Sequence, residues 1–217
     1  MVSHKVQAKR RSPEEMIEHL KGFNLDLKFS AGVWFFFPGG GRFHDAYIDK
    51  PTDKKEWLKR VFDVAYSLKP YGLCALEGHY PNEVNEDNIH LYKKFAHQTG
   101  IRLVSVVPLL VFDRQFAWGS LSSPIPAARK AAIERTKTTL QINKDLKTDF
   151  SIVWPGIDGY ENPFGIDFVA ARDRFADGLA EAMDAVPGVP VAEEPKPYEP
   201  RGHILYGTTP EGILLAQ

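Results

Sequence analysis

Five short apolar runs, each closed by a loop and followed by a helical pattern, constrain this 217-residue chain more than any other feature. They fall at residues 27–36, 72–77, 101–108, 150–154 and 189–194. Continuous apolar runs suit strands covered on both faces. Strands that alternate with helices at this period indicate parallel β/α units. The intervening helices are expected at 52–68, with Trp57, Val61, Phe62, Val64 and Ala65 at helical spacing, and at 86–98, 127–144 and 168–185. Gly100 closes the second of these as a C-cap residue, and Phe175, Leu179 and Met183 line the last. An earlier helix opens at Ser12-Pro13-Glu14-Glu15, with Ser12 as N-cap, carries Met16, Ile17 and Leu20 on one face and stops near Gly22. A further helix starts at Thr209. Five such units fit either a doubly wound sheet or part of an eight-fold barrel, and periodicity alone does not choose between them.

Composition excludes several classes of function. With a net charge of −1, no global field draws the chain to nucleic acid or to an anionic membrane. The basic cluster His4-Lys5 with Lys9-Arg10-Arg11 is too short for an RNA-binding arm and reads as a solvated leader. One cysteine, Cys74, rules out an intramolecular disulfide and a Cys-rich zinc site. Its neighbours Leu73, Ala75 and Leu76 suggest a thiol buried in a strand. No stretch approaches the ~20 apolar residues that span a bilayer, and the N-terminus lacks the apolar core of a signal peptide. The expectation is a cytoplasmic protein without a membrane partner. Gly39-Gly40-Gly41 lacks the Gly-Lys-Ser/Thr ending of a phosphate loop and reads as a turn or an active-site loop.

The fifth run leads into Glu194-Pro195-Lys196-Pro197-Tyr198-Glu199-Pro200-Arg201. Three prolines remove amide donors and favour extended backbone, and alternation then sends side chains two apart to one side. The expectation is a rigid arm that fixes acid and base side chains in direction; a charged proline-rich loop is the plainer alternative. This segment resembles the strand-five motif of the xylose isomerase family and its sugar-isomerase relatives. Two further segments, in matching order, resemble that family. Val107-Pro108-Leu109-Leu110-Val111-Phe112 followed by Phe116, Gly119 and Ser122 is similar to its strand-three exit. Trp154-x-Gly156-x-x-Gly159-Tyr160-Glu161 loosely resembles its Trp-Gly-Gly-x-Glu-Gly segment.

The resemblance selects the α/β fold of a (β/α)8 TIM barrel, with residues 1–26 as leader and helix and 27–217 as its N-terminal five β/α units. Such barrels place their chemistry on the loops after the strands. Trp34, His44, Glu77, His79, Phe112, Trp118, Trp154, Asp158, Glu194 and Lys196 fall on or near that rim. The implied activity is a metal-dependent aldose–ketose isomerisation of a monosaccharide. Epimerisation through an enediol on the same fold is the alternative, as is an inactive fragment that needs a partner chain. A metal-dependent abasic-site nuclease is disfavoured by the neutral charge and the Glu-Pro-Lys-Pro motif.

Within that resemblance Glu194 is the metal ligand, for Mg²⁺ or Mn²⁺ with Co²⁺ as a third candidate; its plainer reading is an ion pair with Lys196 or Arg201. Lys196 would hydrogen-bond the substrate carbonyl as a catalytic group, and Glu199 would orient it. Trp154 with Trp34 or Phe112 would wall the sugar, unless these rings are ordinary barrel packing. The family's Phe-His-Asp-x-Asp at the second strand has no clean counterpart. Here that exit reads Leu76-Glu77-Gly78-His79-Tyr80-Pro81, and Phe43-His44-Asp45 lies one unit earlier. His44 and His79 are therefore both candidates for proton transfer in ring opening, with Asp45 or Glu77 to orient them. Glu77 is also a substrate-binding candidate, and His203 is a weaker candidate for metal or substrate. The family's other metal ligands come from strands beyond the fifth, and a full barrel takes ~250 residues. The chain is accordingly expected to be the front part of such an enzyme, and a homo-oligomer when full length.

Overall fold

The computed structural model describes residues 12–22, 27–36 and 54–217. Helix α1 (Pro13–Lys21) starts as its sequence dictates. The Ser12 hydroxyl accepts from the Glu15 N–H, the Glu15 carboxylate accepts from the Ser12 N–H, and Gly22 caps the end. None of its residues is buried.

Strands β1 (Phe29–Gly32), β2 (Leu73–Tyr80) and β3 (Arg102–Pro108) pair in parallel in that order. Strand β4 (Ser151–Val153) follows, then the two-residue β5 (Gly159–Tyr160), and then β6 (Val191–Glu193), which pairs in parallel with β4. Side chains join the two groups. The Ser151 hydroxyl donates to the Val106 carbonyl at 2.8 Å, and the Ile152 N–H donates to the Ser105 hydroxyl at 3.2 Å. Asn143 occupies the Val106 backbone from the helix side, accepting from its N–H at 2.9 Å and donating to its carbonyl at 2.8 Å. Two serine hydroxyls therefore stand in for ladder bonds where β4 docks on β3.

Helices α2 (Lys54–Leu68), α3 (Ile89–Thr99), α4 (Pro126–Leu146) and α5 (Phe168–Ala185) connect these strands. One core forms where Leu58, Val61 and Ala65 of α2 and Tyr92 and Phe95 of α3 meet Leu76, Leu103 and Val106 of the sheet. A second joins Ala132 and Ile133 of α4, Val153 of β4 and Ala171, Phe175 and Leu179 of α5. Burying each Val, Leu, Ile or Phe among them contributes about 1.5–3 kcal/mol, and each Ala less than about 1 kcal/mol. Gly178 lets α5 approach α4, since a Cβ there would sit 3.3 Å from Ile133 and Leu121. After β6 the chain forms β7 (His203–Ile204), antiparallel to β5, and α6 (Thr209–Leu215), opened by a Thr208–Glu211 capping box. Five parallel strands with helices outside make an arc of a β/α barrel. Among the described residues no helix is long and apolar enough to cross a membrane.

Three expectations fail locally. The first strand is not ten residues long: β1 ends at Gly32, and Val33–Phe36 form a 3₁₀ turn despite their β-forming composition. Trp34 folds back so that its ring fills the space a Cβ on Gly32 would need. Cys74 is exposed rather than buried. Phe29 pairs with Leu73 and Ser30 with Ala75, so Cys74 is the extra residue of a bulge and its side chain is turned out of the packed alternation. The arm after β6 runs straight only as far as Lys196. From Pro197 it bends, Glu199 adopts φ +71°, and the Glu199 N–H donates to the Arg201 carbonyl at 2.7 Å. The prolines do not hold it extended throughout.

Candidate functional site

Register fixes which side chains face the inside of the arc. Leu76 packs toward the helices, so alternation turns Ala75, Glu77 and His79 to the opposite face. Val153 packs on α5, so Ile152 and its partner Ala192 face inward, and continuing the alternation does the same for Trp154 and Glu194. Loops at the strand ends carry the rest.

At the β2 exit, His79 is 4 % exposed. The buried Glu83 holds it: Oε2 of Glu83 accepts from the His79 backbone N–H at 2.8 Å and lies 2.8 Å from Nδ1. That contact places a proton on Nδ1, between the ring and the carboxylate. Asn82 donates to the other carboxylate oxygen at 2.8 Å. Burial alone would raise the Glu83 carboxyl, but the hydrogen bonds and charge of His79 hold it below the usual range. Trp34 covers the imidazole at a centroid distance of 4.5 Å. Glu77, expected to orient this histidine, instead accepts from the Ser30 hydroxyl. Glu83 was missed in the sequence. Its signal was the four-residue spacing His79-x-x-x-Glu83 across a turn begun by Pro81.

At the neighbouring exits of β4 and β6, Trp154 is buried and its ring lies against Gly156, where a Cβ would come within 2.6 Å. Lys196 Nζ sits 5.2 Å from the Trp154 ring centroid and 2.6 Å from Glu199. Glu194 is exposed, and its N–H donates to the Val153 carbonyl at 3.0 Å, which extends the β4–β6 pairing by one residue. Glu193 points the other way, toward Gly212 of α6. Its Oε1 is sealed without a hydrogen-bond partner among the described residues. Burial, then the charges of Glu194 and Glu211, push its carboxyl up to about 7.

Phe112 is exposed on the loop after β3. His203 is exposed on β7 and stacks on Tyr160 at 5.0 Å, in the β5–β7 ribbon. Arg201 does not pair with Glu194; it lies 3.9 Å from Glu161. His44 and Asp45 fall outside the described residues. A hard divalent cation takes about six oxygen donors. Among the described residues no three His, Cys, Asp or Glu side chains gather as a metal set, so Glu194 stands as a single donor and the residues described do not complete a site.

A family profile described as "Xylose isomerase-like TIM barrel" matches residues 65–213. The xylose isomerase of Thermus thermophilus is 28% identical over 201 residues, covering 87% of this chain and 50% of that protein. That of Mesorhizobium japonicum is 26% identical, covering 88% and 49%. The chain thus spans about half the length of the curated relatives it matches. Among solved structures, a D-tagatose 3-epimerase-like protein superposes with a TM-score of 0.59 at 15% identity, over 87% of this chain and 59% of that one. The D-psicose 3-epimerase of Clostridium cellulolyticum H10, in complex with D-tagatose, superposes with a TM-score of 0.56 at 20% identity, over 87% and 59%.

Proposed function

This chain belongs to the xylose isomerase-like TIM-barrel family, and we propose that it serves aldose–ketose isomerisation of a monosaccharide. The observation that carries the reading is Lys196 held over Trp154 at the exits of two paired strands, with Glu194 on the same inward face. Trp154 offers an apolar wall to the sugar's C–H face and excludes water. The Lys196 ammonium, steered by Glu199, donates to a carbonyl oxygen as negative charge develops on it. His79 handles the proton of ring opening, since Glu83 holds a proton on Nδ1 and fixes the ring's orientation. Glu194 supplies one hard oxygen to a divalent cation such as Mg²⁺, Mn²⁺ or Co²⁺, which when bound polarises the sugar oxygens. One carboxylate does not hold such an ion by itself.

The test is incubation with D-xylose and with its ketose in D₂O, with and without Mn²⁺, followed by NMR. Interconversion of aldose and ketose supports the reading. Epimerisation at C3 with solvent deuterium incorporated there would replace it with proton transfer through an enediol. Tryptophan fluorescence, compared with that of Trp154→Phe, follows sugar binding independently of turnover; the absence of both turnover and a fluorescence change refutes the proposal for this chain.

A further inference from the structure

The exits of β3, β4 and β6 converge on one buried carboxylate. Asp158, on the loop after β4, is 1 % exposed. Its Oδ1 accepts from the Ser120 N–H at 2.7 Å, the Ser122 N–H at 2.9 Å and the Ser122 hydroxyl at 2.6 Å, and its Oδ2 accepts from the Ser120 hydroxyl. All four donors come from the loop after β3. The Asp158 carbonyl in turn accepts from the Leu205 N–H at 2.8 Å, on the chain returning from the β6 arm. One residue therefore binds the β3 loop through its side chain and the β6 return through its backbone.

Neighbouring groups repeat the connection. Arg201, the last residue of the arm, donates to the Ala117 carbonyl on the β3 loop and, at 3.4 Å, to the Ile157 carbonyl on the β4 loop. Arg174 of α5 donates to the Ser122 carbonyl at 2.8 Å. Gly119 takes φ +105°, and a Cβ there would lie 3.0 Å from the Ser122 hydroxyl and 3.3 Å from Asp158, so the loop closes over the carboxylate only with glycine.

We infer that Asp158 is a positioning residue that locks the exits of β3, β4 and β6 into one preformed platform for the sugar. Burying a charge is weak evidence for stability, because well-packed apolar residues of similar volume serve a core equally well. Four directed donors from two serines instead define a single loop position. That position sets Trp118, which is 75 % exposed between Ala117 and Gly119, relative to Trp154 and the Lys196 arm. What the platform is for rests on the sugar-isomerase reading; the lock itself rests on geometry.

The test is hydrogen exchange of the whole chain, wild type against Asp158→Asn, with D-xylose titrations followed by tryptophan fluorescence. The lock predicts at least tenfold faster exchange in residues 117–123 and in 203–206 together, with 73–80 and 102–108 unchanged, and about tenfold weaker sugar binding. Should Asp158→Asn fail to fold, Ser122→Ala removes one donor and should loosen the same two segments by a smaller factor. Unchanged exchange in either segment, or a uniform rise across the strands, overturns the lock. Paired loosening with unaltered sugar affinity, or with no sugar binding in the wild type, keeps the lock and overturns the sugar reading instead.

Discussion

Truncating Glu83 separates a structural tie from an incidental contact. Its carboxylate satisfies two donors of His79, the backbone N–H and Nδ1–H, and both belong to a residue that is 4 % exposed. Glu83→Ala leaves both without that acceptor, and each unsatisfied buried donor costs about 1–3 kcal/mol. The expected loss is about 3–5 kcal/mol, in line with breaking a buried pair from one side. Glu83→Gln keeps one carbonyl where Oε2 stood but sets its NH₂ against the Asn82 donor where Oε1 stood, so it loses the charge assistance and that hydrogen bond, together about 2–3 kcal/mol, partly offset because a neutral amide is cheaper to bury. The pH dependence gives a second reading. The folded carboxyl titrates below its ordinary value, so its stabilisation is present above the unfolded pKa near 4.5 and is lost as pH falls through the folded value. Wild-type stability should therefore fall more steeply below pH ~4.5 than that of Glu83→Gln. Urea unfolding followed by circular dichroism across that range measures both effects. A Glu83→Ala loss under about 1 kcal/mol, or matching acid slopes, would refute the argument.

Glu193 has the opposite sign: its folded pKa is raised to about 7, so ionising it costs stability as pH rises from the unfolded value near 4.5 through 7. Because the residue is only half-buried, solvent screening reduces the cost to about 1 kcal/mol, and Glu193→Gln should flatten the urea-measured slope in that window. Gly156→Ala places a Cβ 2.6 Å from the Trp154 ring, which must swing away at a cost of about 1–3 kcal/mol. A changed tryptophan emission that is absent in the Trp154→Phe background, together with weaker sugar binding, would register the displacement. Lys196→Met removes a cation–π contact and a half-exposed ion pair, together about 1 kcal/mol of stability. Sugar turnover should fall far more than the melting temperature; an equal loss of both would assign Lys196 a packing role.

The strands were legible wherever an apolar run is covered on both faces, because that burial is written in consecutive residues. Helix α5 begins and ends at the residues its pattern indicates, and Ser12 and Gly100 cap their helices as their chemistry requires. Misreadings occurred where a long-range or backbone feature overrode local preference. Val33–Phe36 has the composition of a strand and forms a turn because the Trp34 ring packs over Gly32 and His79. Cys74 sits in an apolar stretch and is exposed because the β1–β2 register slips by one residue beside it. The arm's prolines promised an extended rod, but a positive φ at Glu199 folds Glu199 back onto Lys196.

The candidate site divides along the same line. His79 and Glu83 are four residues apart, so a short turn brings them together and the spacing alone could have revealed the pair. Asp158 meets donors 36 and 38 residues earlier, on a different loop, and no local pattern marks it as a tie. The proline-rich arm names the groups that would touch a sugar, whereas their placement depends on Asp158 and Arg201 reaching across to the β3 loop. A substitution that leaves the arm's sequence intact can therefore still displace its chemistry, and that consequence was readable only once the loops were seen side by side.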